Sequence, residues 1–324
     1  MTPEMRAEPA TASSRSLGGI RRGLGTPDAG SRGRHRRRGS RAAYAYVLAA
    51  FAYLVVFVLY PIGKAIWISL TSTDLLSPTK NEYIGLKNYQ SLLDGGILQH
   101  TLWLTVIFVA AVSVLSMVVG VGAALLVETL VTGKATARTL LALPWTIPSV
   151  VIALLFDLIL DQRIGVVNQI LQLGNLPPIN WLTDDTVAMV SVIGVTVWNL
   201  FPFVMLVTMA ALATVPGELS ESASVDGAGR WAMARHITLP YILPTLQIVS
   251  LFLIIWAFQQ FQILWIMTQG GPINGTDVVS IELYRTAFLF NDLGRASAIG
   301  VVAMIPALLI TLFYFRVAKP MVTR

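Results

Sequence analysis

Six stretches of this chain are long, apolar and almost free of charge, and they constrain the fold more than any other feature. They run from Ala42 to Gly63, Thr101 to Val127, Thr139 to Leu160, Thr186 to Ala213, Leu243 to Met267 and Ala296 to Phe315, and together they hold a single charged side chain, Asp157. A helix needs about 20 mostly apolar residues to cross a hydrocarbon core, where its backbone groups have only each other to bond. The pattern therefore predicts an all-α integral membrane protein with six transmembrane helices. Composition agrees, with 55% of the 324 residues hydrophobic and 12% charged, against about 25% charged in soluble domains. No cysteine is present, which excludes disulfides, thiol catalysis and Cys-based metal sites. His35, His100 and His236 are scattered, a spacing that does not predict a His-rich metal site.

Charge predicts the orientation. Residues 1–41 hold ten arginines against Glu4, Glu8 and Asp28, a balance of +7, so the rest of the chain is near neutral. This Arg-, Gly- and Ser-rich head has too little apolar surface to offset the entropy of ordering it, and is expected to be a disordered cytoplasmic tail able to touch anionic lipid. It lacks interleaved aromatics, so no nucleic-acid partner is expected. The first apolar run is long enough to span and is followed by Tyr60-Pro61 rather than a small-residue cleavage site, so it reads as a retained anchor. With the N-terminus inside, Lys134, Arg138, Arg230, Arg235, Arg316, Lys319 and Arg324 join the tail on the cytoplasmic side, and six basic residues, including Lys64, Lys80 and Lys87, fall outside. That asymmetry follows the positive-inside rule and puts both termini in the cytoplasm.

Prolines at 61, 144, 148, 202 and 306 remove helical hydrogen bonds and predict kinked or broken spans. Small residues near Gly120 and Gly122, and at Ala296 and Gly300, fit close helix packing. Asp157 sits one turn before Asp161 near the outer end of its run. That places it at the interface; an ion-coupled transporter centred on it is the other reading. No nucleophile–base pair, carboxylate dyad or metal motif accompanies it, and Gly63-Lys64 and Gly133-Lys134 are each followed by Ala, so neither forms a phosphate loop. Any ATP, with its Mg, has to be bound by another chain, and this one is expected to be no enzyme and to need no cofactor.

Between the fourth and fifth runs lies a polar cytoplasmic segment, residues 214–240. Pro216 suits a first helical position, Glu218 and Glu221 complement the dipole of a short helix, Gly227 permits a bend, and a second short helix is expected to end before Pro240. Glu221, Ala223, Asp226, Gly227, Ile237, Leu239 and Pro240 resemble the EAA signature of binding-protein-dependent ABC importer permeases. Ser222 stands where Ala is commoner, and Ala234 where an aromatic is frequent. The resemblance implies a coupling helix that docks on an ATPase subunit. It extends from about Ala45 to the end of the chain. Tyr60-Pro61-Ile62, Gly85-Leu86-Lys87-Asn88-Tyr89, Leu143-Pro144-Trp145 and Thr268-Gln269-Gly270-Gly271-Pro272, with Tyr284 and Phe288 beyond, resemble the first permease subunit of carbohydrate importers of the maltose and glycerol-phosphate type. This implies a permease domain over 42–324 in a bacterial cytoplasmic (inner) membrane. The implied partners are a second permease, two ATPase subunits, an extracytoplasmic solute-binding protein (lipoprotein or periplasmic), and a di- or oligosaccharide cargo, with glycerol-phosphate esters or another small solute as the alternative.

The fifth run carries the amides and rings a sugar would need. Trp256 with Gln259 and Gln260, and Phe258 with Phe261 and Gln262 followed by Trp265, are spaced three or four apart and are expected to form adjoining helical stripes. Rings pack against sugar C–H faces and amides bond hydroxyls without fixed charge; the same residues could instead fill and glue a helix bundle. Asn199, beside Trp198 and Pro202, is a further candidate.

Overall fold

The computed structural model describes residue 44, residues 46–77 and residues 81–318. The basic head, Lys80, Lys319 and Arg324 lie outside the described residues. The chain divides into two units, Met1–Leu59 and Tyr60–Arg324. The described part of the first is an exposed helix that closes in a π-helical turn, Val55–Leu59, with the Tyr53 and Phe57 rings 4.8 Å apart.

The second unit is helical. Its elements are α1 (Tyr60–Ser69), α2 (Lys87–Asp94), α3 (Ile97–Glu128), α4 (Lys134–Thr146), α5 (Ser149–Ile159), α6 (Val166–Leu173), α7 (Asp185–Leu212), α8 (Gly217–Val225), α9 (Arg230–Met233), α10 (Leu239–Phe258), α11 (Gln262–Met267), α12 (Val279–Tyr284) and α13 (Leu293–Ala318). Among the described residues, four helical runs are long and apolar enough to cross a membrane: Tyr46–Ser69, Ile97–Glu128, Asp185–Leu212 and Trp231–Met267. The pair α4 and α5 makes a fifth if counted as one span, although it bends by 95°. The protein is thus a multi-pass membrane protein.

α7 is the central helix. Asp184 caps it, accepting the N–H groups of Thr186 and Val187 at 3.2 and 3.1 Å, which supplies partners for donors that have none inside the helix. Two-thirds of its most apolar window is buried within the protein, whereas none of the corresponding window of Tyr46–Ser69 is. α3 packs along α7, and Gly120 is where they touch: a Cβ there would sit 2.4 Å from Val204 Cβ and 2.8 Å from the Phe201 carbonyl. Gly122 has open space beside it, so of that pair only Gly120 serves close packing. Around this axis Phe108, Val112, Ile152, Val192, Leu253, Ile263, Leu264 and Ile281 form one buried core.

The prolines act unequally. Helix continues through Pro202 and Pro306, but the chain turns sharply at Ile147-Pro148. Ile147 is extended (φ −83°, ψ 133°) and so is Pro148 (φ −56°, ψ 135°). The residue before a proline is pushed out of the helical region, and the proline itself has no N–H to offer, so α4 stops and α5 starts afresh. Pro240 does not follow a helix end, as the sequence suggested. α9 passes through a π-helical turn, Ala234–Thr238, directly into α10, whose first turn contains Pro240. A missing N–H is tolerated in a first turn, where the π register has already shifted the ladder.

Candidate functional site

A cavity of about 430 Å³ opens at the α4–α5 break. Trp145, Thr146, Ile147, Pro148 and Ser149 form one wall; Asn199 and Leu200 of α7, Trp256 of α10, and Gln259, Gln260 and Gln262 complete it. Phe203 lies between the two tryptophans, 5.7 Å from the Trp145 ring and 4.7 Å edge-on from that of Trp256, with Phe252 also 5.9 Å from Trp256. The two indoles thus belong to one packed aromatic cluster that leaves their polar neighbours facing open space. Asn199 is buried, and its amide donates to the Pro144 carbonyl at 3.0 Å. It braces the end of α4, whose last carbonyls lack helical partners.

The fifth run is not one unbroken helix through this region. α10 ends at Phe258, and Phe261 takes a non-helical conformation (φ −126°, ψ −50°) before α11 begins. No proline or glycine stands there. The Gln260 carbonyl instead accepts the hydroxyl of Ser280 at 2.8 Å, and its N–H reaches the Ala257 carbonyl at 3.2 Å. The predicted adjoining stripes therefore do not form, because residues 256 and 265 no longer share one helical ladder. Trp265 is outside the cavity lining. It stacks on Phe261 at 5.7 Å and meets Tyr284 at 4.7 Å, and Tyr284 continues to Phe288 at 5.0 Å. Of the six residues picked from sequence as sugar-facing, five line the cavity and Trp265 does not. Residues 145–149 were missed as lining; the signal was Pro148, read as a kink and not as a wall.

The polar segment after α7 forms a second site. Pro216 is the N-cap of α8 rather than its first residue. Gly227 has φ +80°; its N–H bonds the Ser224 carbonyl at 3.1 Å, and the Ala228 N–H bonds that of Ala223 at 2.9 Å. These two bonds close a Schellman turn, which requires the left-handed conformation glycine adopts without strain. A Cβ on Gly227 would meet nothing within 4 Å. Ala223 is buried, Glu221 and Asp226 are exposed, and Val225 and Trp231 stand 88% and 75% exposed. Ile237 lies in the π turn and Leu239 opens α10, both half-buried. An apolar cavity of about 790 Å³, lined by Leu125, Leu126, Leu212, Trp231 and Met233 among others, opens beside them.

Asp157 is exposed on α5 and lines a smaller cavity of about 320 Å³ with Asp161 and Arg163. Asp161 accepts the N–H groups of Arg163 and Ile164, both at 2.8 Å, which hold its carboxyl below the usual range. The Gly270-Gly271-Pro272 hairpin is anchored from below. Thr276 bonds Thr268 and the Gly271 carbonyl, both at 2.7 Å, while Asp277 and Glu282 share the guanidinium of Arg285. Burial, with the neighbouring Glu282 charge, pushes Asp277 up to about 7 despite Arg285 pulling it down.

Residues 117–323, which contain both sites, match the family described as binding-protein-dependent transport system inner membrane component. This chain belongs to that family. The permease is 28% identical to the trehalose/maltose transport system permease protein MalF of Thermococcus litoralis, over 87% of this chain and 95% of the relative. It is 30% identical to the sulfoquinovosyl glycerol transport system permease protein SmoG of Agrobacterium fabrum, over 87% and 92%. Its fold matches a solved bacterial ABC transporter involved in the import of the acidic polysaccharide alginate. That match has a TM-score of 0.77 and 23% identity, and covers 88% of this permease and 98% of that chain.

Proposed function

We propose that this permease is one transmembrane half of an ATP-driven importer of a di- or oligosaccharide. It has six spans with both termini cytoplasmic, in a bacterial inner membrane. A second, related permease completes the pathway, two ATPase subunits bind ATP and Mg, and an extracytoplasmic binding protein delivers the sugar. The observation that carries this reading is the continuous helix of α9, the π turn Ala234–Thr238 and α10, which runs from Arg230 to Phe258 with Gln259 and Gln260 directly at its end. It begins beside the Gly227 turn and reaches Trp256, Gln259 and Gln260 at the cavity, so one stiff element joins the two sites across about 37 Å at 1.5 Å per residue. ATP-driven closure of the partner subunits would push on Glu221, Ala223, Asp226 and Gly227. The push would pass through Ile237, Leu239 and Pro240 into the run, biasing the pathway between inward- and outward-open states. Sugar cargo is supported by two tryptophans beside neutral amides and by the kinship with sugar permeases. The names of the relatives run from trehalose/maltose to the acidic alginate, so kinship leaves the cargo's charge open.

Affinity purification of this chain from solubilised membranes, followed by ATPase assays with saccharide-loaded binding protein, tests the reading. Co-purification of an ATPase and a second permease, with activity raised by one sugar, is the expected result. A chain that purifies alone with no ATPase overturns it.

A further inference from the structure

The segment that joins α5 to α7 carries an apolar face that no other described residue covers. α6 turns Val167 and Leu171 towards the protein, with Val167 packed on the main core, and Asn168 is 1% exposed. Val166, Ile170 and Leu173, four and three residues apart, form a stripe on the opposite side of the helix, and all are more than half exposed, Leu173 by 86%. Ile164 before the helix and Leu176 after it are also exposed. The stripe faces outward because α6 is locked in rotation. The Asn168 amide donates to the Gln162 and Ile179 carbonyls and accepts from the Ile179 N–H and the Trp181 indole, at 2.9 to 3.1 Å. Turning the stripe inward would break these bonds.

The same segment is tied down at the level of the helix ends. Gly165 seats against the end of α5: its N–H bonds the Asp161 carbonyl at 3.0 Å, and a Cβ there would collide with the carbonyl oxygens of Ile159 and Asp161. On the other side Ser191 of α7 donates to the Trp181 carbonyl at 2.8 Å. Ser191 lies seven residues inside the Asp184 cap, about 10 Å along the helix at 1.5 Å per residue. α6 therefore lies beside the ends of two apolar helices and not far beyond them. Charge fits the same place. From Gln162 to Thr183 the only charged side chain is Arg163. One cation and no acid suits a layer of lipid phosphates, which arginine meets with paired N–H donors.

We infer that α6 is an interfacial helix, with Val166, Ile170 and Leu173 among the acyl chains at the membrane surface and Arg163 at the lipid phosphates. This rests on the multi-pass fold and is independent of the cargo. A helix of eight residues is too short to hold its shape on lipid alone; the Asn168 bonds supply the order that its length does not. Its effect is to peg the end of α5, the half of the broken pair beyond Pro148, to the plane of the lipid.

The test uses the permease with whatever subunits co-purify, in nanodiscs of phosphatidylcholine and phosphatidylglycerol. Because this chain has no cysteine, single cysteines at Gln169, Ile170, Gln172 and Leu173 each carry a spin label at one known position, and the unsubstituted protein supplies the background. Paramagnetic resonance then compares collisions with oxygen, which concentrates in lipid, against those with a water-soluble nickel chelate. The oxygen-to-nickel ratio is expected to be about fivefold higher at Ile170 and Leu173 than at Gln169 and Gln172, as for a face buried roughly 5–10 Å into the boundary of headgroups and acyl chains. Arg163→Glu should lower the ratio at Leu173 about twofold, as lipid phosphates repel it, and Arg163→Lys should leave it unchanged. An unchanged elution profile shows that each variant folds. A ratio favouring nickel at all four positions overturns the inference, and a nickel signal at Leu173 that then falls on adding a solute-binding protein assigns the face to that protein instead. Low collision rates with both reagents at Ile170 and Leu173 mean that another subunit covers the stripe, and overturn it as well. None of these outcomes bears on the sugar reading, which the ATPase assay decides.

Discussion

Two helix interruptions meet at one cavity, and they arise by different physics. At Ile147-Pro148 the cause is local: a proline without an N–H, preceded by a residue it forces into extended backbone. At Gln259–Phe261 no residue disfavours helix, and the interruption is held by Ser280, 20 residues further on, donating to the Gln260 carbonyl. The first break belongs to the chain wherever it goes, while the second exists only in the folded bundle. A transporter wall made of one fixed and one conditional break has a built-in asymmetry: the conditional one is the cheaper to reshape. The Gly227 turn is of the first kind, closed by its own Schellman bonds.

Substitutions can break or sharpen that contrast. The largest effect is expected at Gly227→Asp. Aspartate tolerates left-handed backbone better than most residues, so the turn persists and the new side chain enters the open face where a partner would dock. Uptake should fall on the order of 30-fold or more, as when an interface hot spot is lost, with membrane insertion unchanged; normal uptake would count against docking there. Next is Pro148→Ala, which lifts a bias of about 3 kcal/mol against continuous helix. Spin labels at the exposed positions Leu140 and Leu155 should move apart as the 95° bend opens. An unchanged separation would mean that packing, and not proline, holds the first break.

Ser280→Ala removes one hydrogen bond, worth about 1 kcal/mol. Sugar affinity should drop roughly fivefold as Gln260 loses its backbone tether, whereas a locally encoded break would leave affinity untouched. The smallest effect on uptake is expected at Asp277→Asn, beneath the hairpin. Because Asp277 titrates near 7 in the fold, above its ordinary 3.8, the folded state holds a proton that the unfolded state releases between those values. Its contribution to stability is therefore present below about pH 4 and is lost as pH rises through about 7. Melting temperatures of the purified assembly should fall from pH 5 to pH 8 in the native protein and less steeply in Asp277→Asn.

Much of the candidate site was legible in the sequence because its parts obey short-range rules. Apolar runs mark membrane helices, Pro148 marks a break, and Gly227 marks a turn that only a residue free to adopt positive φ closes without strain. Asn199, Trp256, Gln259, Gln260 and Gln262 were recognisable as polar or aromatic groups out of place in lipid. Trp265 carried the same signal and proved to be packing, because the assumption of an unbroken helix put it on the wrong face. Pro240 misled for a related reason: proline ends a helix from within but is tolerated in a first turn, and which applies depends on where the preceding π turn falls.

The sequence by itself determined which segments can live in a membrane, where the backbone must turn at Pro148 and Gly227, and that no charge would stand deep in the spans apart from Asp157. These follow from transfer free energies and from the φ, ψ ranges open to proline and glycine, properties of a residue and its neighbours. The tertiary structure alone decided that Ser280 bonds the backbone where the fifth run is interrupted, that Asn168 and Asn88 find their carbonyl partners, and that residues 145–149 face the same space as Trp256, Gln259, Gln260 and Gln262. Each of these depends on groups far apart in the chain arriving within hydrogen-bonding reach, and such meetings are set by the packing of α3, α7 and α10 and not by any local pattern of residues.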